Sequence, residues 1–141
     1  MNRILVPIDG SAPADAALEY ALERFPDDEI VALYVKDPVD GATAWGPGSA
    51  DDWMAVADER AKAVLGAATD RADERGVSLA TDDVVGRPAR AIIEYAEEND
   101  VDNIVVGSHG RDGVARVLLG SVAETVVRRA PVPVTVVRPQ E

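Results

Sequence analysis

The chain has 141 residues, 47% of them hydrophobic, with no cysteine, one histidine and a formal net charge of −12. That length suits a single domain with one respectable core, and that apolar content excludes a disordered chain. The missing cysteines remove disulfides, thiolate nucleophiles and thiolate metal sites, while the acidic balance speaks against nucleic acid and anionic membranes as partners.

No apolar run approaches the roughly 18 residues that a membrane span needs. The opening stretch Met1-Asn2-Arg3-Ile4-Leu5-Val6-Pro7-Ile8-Asp9 is too short in its apolar part for a signal peptide and closes on an acid. It reads as a first strand, and a cytoplasmic location is expected. The acids are mostly Asp, and Lys36 and Lys62 are the only lysines beside twelve arginines. Such a surface suits a cytoplasm at molar salt, which screens self-repulsion, so a salt-loving source is expected.

In chain order, Ile4 to Ile8 forms a short apolar strand, and Asp9-Gly10-Ser11 leads into a helix from about Pro13 to Arg24. Ala17, Leu18, Ala21, Leu22 and Phe25 recur there at helical spacing. Pro26-Asp27-Asp28 breaks the helix, and Ile30 to Val35 is the second strand. The segment from Asp37 to Ala50, rich in Gly and Pro, is the one long irregular connection. Its Trp45, with Trp53 beyond it, anchors a loop to the core or closes over a ligand or an interface.

A long helix runs from about Asp51 to Arg75, with Trp53, Ala57, Ala61, Val64, Ala68 and Ala72 on one face and Gly76 just past its end. The third strand lies within Val77 to Val85. Gly86-Arg87-Pro88 opens a helix that reaches about Glu98, and the fourth strand spans about Asn103 to Val106. A last helix begins at Ser121, where Ser121 and Glu124 have the spacing of a capping box. Pro131 to Val137 is the final strand.

This alternation implies one α/β domain over residues 1–141, a doubly wound parallel sheet of five strands with helices on both faces. Near-continuous Val, Ile and Leu in the strands agrees with burial on both sides. Pro131 and Pro133 cannot donate to a ladder, which puts the last strand at an edge. An exposed Val-rich edge invites pairing, and a homodimer through Val132–Val137 would cover it.

The chemistry concentrates between the fourth strand and the last helix. Gly107-Ser108-His109-Gly110 is followed, after nine residues, by Gly120-Ser121. Glycines bring backbone close to a ligand, and the N-terminus of the next helix offers unpaired N–H groups and a positive dipole end. The spacing reads as a phosphate cradle in two halves. Residues 107 to 138 carry Arg111, Arg116, Arg128, Arg129 and Arg138 against Asp112 and Glu124, a positive island in an acidic chain. Arg128 and Arg129 also suit the last turn of a helix, where cations offset the dipole.

In such a sheet a ligand sits beyond the carboxyl ends of the strands, where strand order reverses. Pro7 and Asp9, Val35 to Asp37, and Gly107 to Arg111 emerge there. Asp9 is placed to bind a ribose hydroxyl or a metal on the phosphates, or to cap the following helix. A P-loop is excluded because no Gly-Lys pair occurs, and Gly107, Gly110 and Gly113 do not fit a dinucleotide fingerprint. A phosphorelay receiver needs a lysine after its last strand, and both lysines lie far upstream. His109 has no nucleophile and carboxylate set around it in sequence for a catalytic triad.

The pattern Gly107-x-x-Gly110, nine residues, Gly120-Ser121 resembles the ATP-binding branch of the universal stress protein family. The resemblance extends over Ile4-Leu5-Val6-Pro7-Ile8-Asp9-Gly10-Ser11, Val85-Gly86-Arg87-Pro88 and Val132-Pro133-Val134. It implies strand order 3-2-1-4-5 and ATP, with Mg or Mn carried on its phosphates, over strands one and four. By position it implies that Asp9 faces the ribose and phosphates, with Pro7 beside it. The backbone around Val35 then reads adenine, and Gly107, Gly110, Gly120, Ser121 and Val122 hold ribose and triphosphate. Arg111 falls in a loop place near the phosphates. The role implied is a dimeric, nucleotide-dependent sensor or regulator in stress. Two other readings stay open: a slow metal-dependent ATPase or nucleotidyl-transfer enzyme using Asp9, and a nucleotide-free dimeric interaction module.

Overall fold

The computed structural model describes residues 1–39, 50–108 and 119–139. Its elements are β1 (Arg3–Pro7), α1 (Ala12–Arg24), β2 (Glu29–Lys36), α2 (Ala50–Glu74), β3 (Leu79–Val85), α3 (Pro88–Glu98), β4 (Asn103–Gly107), α4 (Ser121–Arg129) and β5 (Val134–Val137). The five strands form one parallel sheet in the order β3-β2-β1-β4-β5. Both the doubly wound α/β class and the implied strand order are therefore observed.

The side-chain period of two sorts each central strand between two layers. Ile4, Val6 and Ile8 face α1 and α2 together with Ile30, Ala32 and Tyr34, and pack against Ala17, Leu18, Ala21, Ala61, Ala68 and Ala72. Leu5, Val31, Leu33, Ile104 and Val106 face α3 and α4, against Ile92, Ala96, Ala123 and Val126. Alanines on α2 let that helix lie close to the sheet. The central strands β1 and β4 are buried over their middles, as their apolar runs require.

The edge strands depart from two-faced burial. Along β3, Ala80, Thr81, Asp82 and Asp83 are exposed, and β5 is half-buried throughout. The order places β5 at an edge, as its prolines imply. Their nitrogens are not on the open side, however. Ile104 N–H donates to Pro133 C=O at 3.0 Å, so residues 133, 135 and 137 turn their backbone groups toward β4. Val134 and Val136 turn theirs outward. The prolines thus end the ladder with β4, and no described strand pairs with the outer edge.

Helix ends explain the remaining boundaries. Gly76 takes φ +68°, its N–H donates to Asp73 C=O, and Val77 N–H donates to Ala72 C=O. That pair of bonds is a Schellman motif, and it holds Val77 under the helix so that β3 begins at Leu79. At the start of α1 the cap is Ser11, whose hydroxyl accepts from Ala14 N–H at 3.3 Å. At α4 the expected capping box is absent. The N-cap is Gly120, Ser121 is the first helical residue, and the Glu124 carboxylate pairs with Arg128 at 2.7 Å instead. The cap lies one residue earlier than the spacing suggested, and that makes Ser121 the first helical residue.

Candidate functional site

Three chain segments converge at the carboxyl end of the sheet. The turn after β1 carries Pro7, partly buried, and Asp9, whose Oδ1 accepts from Ser11 N–H at 2.9 Å. Gly10 takes φ +86°, a conformation that glycine adopts without a Cβ penalty. Ser11 does the capping, so Asp9 is not the helix cap; its Oδ2 has no partner among the described residues. Ile8 N–H donates to Leu33 C=O, which fixes this turn beside the end of β2. Val35, one residue before the end of β2, is half-buried in the layer of α3 and α4.

The second segment is the end of β4. A Cβ at Gly107 would lie 2.6 Å from the carbonyl carbon of Pro13 and 2.9 Å from Ala14 N, so only glycine lets α1 start this close to the strand. Gly107 therefore has a demanding role in the fold, whatever it does for a ligand. Ser108, buried beside it, receives the third segment: its C=O accepts from Gly120 N–H at 2.7 Å. That bond ties the end of β4 to the start of α4.

Gly120 has φ −72° and ψ 165°, backbone angles that any residue adopts, and it offers no side chain to cap the helix. The first intrahelical bond runs from Glu124 N–H to Gly120 C=O, so the N–H groups of Ser121, Val122 and Ala123 precede the ladder. Ser121 and Val122 are exposed. A helix start whose first N–H groups precede the ladder, with no side-chain cap, is suited to an anion. Gly110 and Arg111, together with His109, Arg116 and Trp45, lie outside the described residues, as does most of the long connection after β2. Trp53 is half-buried on α2. Arg128 is engaged with Glu124 within α4, a helix-surface pair.

Two features of this end of the molecule leave no trace in the sequence. Lys36, buried at the end of β2, lies 2.5 Å from Asp58 of α2 and 3.0 Å from Asp83 of β3. The hydrogen bond to Asp58 raises the Lys36 pKa above its ordinary value, against the opposing effect of burial. Asp37, next in the chain, accepts from Val39 N–H and stands 4.0 Å from Arg87 at the turn into α3. No local pattern links residues 36, 58 and 83, and only the packing of α2 over the sheet edge brings them together.

Comparison with known proteins sets this geometry in a class. The universal stress protein family model matches residues 1–138, and the chain belongs to that family. It is 37% identical to universal stress protein MJ0531 of Methanocaldococcus jannaschii, over 97% of this chain and 82% of that one. The solved structure of MJ0577 from the same organism superposes with a TM-score of 0.84 at 30% identity, covering 99% and 97% of the two chains. A universal stress protein solved in complex with cAMP gives a TM-score of 0.76 at 27% identity, over 99% and 98%.

Proposed function

We propose that this chain binds ATP across the carboxyl ends of β1 and β4 and acts as a nucleotide-dependent regulator in stress. The observation that carries the reading is the start of α4. Gly120 caps that helix without a side chain, the next three N–H groups have no intrahelical acceptor, and the helix start is tied to β4 through Ser108. Such a shelf accepts a triphosphate, with Gly110 and Arg111 assigned to the same cradle. Asp9 supplies its Oδ2 to ribose or to Mg²⁺ or Mn²⁺ on the phosphates, Pro7 borders it, and the Val35 backbone reads adenine. Ser121 and Val122 present their N–H groups to the phosphates. A relative solved in complex with cAMP supports a nucleotide ligand, and the switch point of such a sheet is where a ligand of this fold class sits.

The Asp9→Ala variant tests the assignment. Asp9 holds one turn N–H, so its loss costs the fold little, whereas a carboxylate bond to ribose or metal is charge-assisted. ATP affinity should fall about tenfold or more while the melting temperature stays near that of the wild type. Unchanged affinity with a lower melting temperature would assign Asp9 to the turn alone.

A further inference from the structure

The two edges of the sheet differ in their freedom to accept another strand. On β5 the outward N–H groups of Val134 and Val136 meet no acceptor among the described residues. On β3 the register with β2 and the bond from Gly86 N–H to Lys36 C=O turn residues 80, 82 and 84 inward, and 79, 81, 83 and 85 outward. At the middle of that outer edge the N–H of Asp83 is already taken, because it donates to Asp82 Oδ1 at 2.9 Å.

Asp82 is itself held. The Tyr95 hydroxyl of α3 donates to Asp82 Oδ2 at 2.9 Å, from the opposite face to that on which Lys36 holds Asp83 at 3.0 Å. Both acids are exposed. A second β3 approaching this edge would therefore lose a ladder bond at its centre and meet two carboxylates with two more of its own. Molar salt screens the repulsion, but it does not free the N–H.

We propose that the Asp82 carboxylate, held by Tyr95 over the outward N–H of Asp83, closes the β3 edge to strand addition. A sheet with two pairing edges would grow without limit, and one with a single open edge stops at a pair. The closure of β3 does not depend on the nucleotide reading or on pairing at β5.

The test uses the full chain in molar KCl. In the wild type the Asp83 amide should exchange with solvent about tenfold more slowly than that of Thr81, which also faces outward, after correction for intrinsic rates. In Asp82→Ala, and to a smaller extent in Tyr95→Phe, that protection should be lost. On raising the concentration, Asp82→Ala should gain a sedimenting species of twice the mass that the wild type shows under the same conditions. An Asp83 amide exchanging as fast as Thr81 in the wild type would overturn the proposal without any variant. So would a folded Asp82→Ala that keeps the wild-type mass at every concentration.

Discussion

A Cβ at position 107 would sit 2.6 Å from Pro13 carbonyl carbon and 2.7 Å from its oxygen, whereas the backbone angles of Gly120 suit any residue. Two glycines of one motif thus carry different constraints. Gly107→Ala should destabilise the fold by about 2 kcal/mol or more, because the clash is with backbone and α1 must move. Gly120→Val should stay within about 1 kcal/mol of the wild type, the cost of a poorer N-cap, while losing ATP. Chemical denaturation of both variants with nucleotide titration checks the pair; a Gly120→Val protein that folds and binds as the wild type does would remove Gly120 from the site. The sequence signalled that glycine mattered at 107 but pointed to a ligand, because the Pro13 backbone that fills the space is 94 residues away in the chain.

Among the elements, those legible in the sequence are the ones whose signal is local. Gly76 ends α2, Pro88 starts α3, and apolar runs mark β1, β2 and β4 within a residue or two. The start of α4 at Ser121 is legible, but its cap is not: Ser121 and Glu124 have capping-box spacing, while the tie between Ser108 and Gly120 that makes Gly120 the cap is tertiary. The pattern of β3 is that of an edge held by α2 and α3 through Lys36 and Tyr95, and this also escapes a local reading. Burial, reinforced by the bond to Asp82, pushes the Tyr95 phenol from 10.0 up to about 12. Its contribution to stability is complete below pH 10 and disappears as pH rises through about 12. Lys36, raised above 10.5, loses its contribution in the same alkaline direction. Stability should therefore decline from pH 10 toward pH 12, and Tyr95→Phe should flatten that decline; equal slopes would contradict the assignment. Replacing both Asp58 and Asp83 by Asn leaves a buried ammonium without a counter-charge and should cost about 3 kcal/mol, read from denaturant midpoints.

At the scale of the whole molecule, the acidic surface and the open β5 edge lead to two further expectations. With a net charge of −12, the melting temperature should rise from low to molar KCl as self-repulsion is screened, and a flat response would remove the expectation of a salt-loving source. Pairing of β5 with its two-fold mate would use the outward groups of Val134 and Val136 and bury Val-rich surface, which salt does not weaken. Val136→Pro deletes one outward donor without touching the ladder to β4, and Thr135→Asp sets like charges near the axis. The wild type is expected to sediment as a dimer and each variant as a monomer; a wild type that is monomeric at micromolar concentration in molar salt would contradict the expected pairing.

Among the described residues no helix is long and apolar enough to cross a membrane, and the start of α4 at the carboxyl end of the sheet has no side-chain cap. Calorimetric titration of the full chain with ATP, in the presence of Mg²⁺ and at molar KCl, tests that placement most directly. Saturable binding of one ATP per chain, lost in Gly120→Val and weakened in Asp9→Ala, is the result expected. A well-folded wild type that takes up no ATP, or one whose affinity neither variant changes, would contradict the nucleotide site at its root.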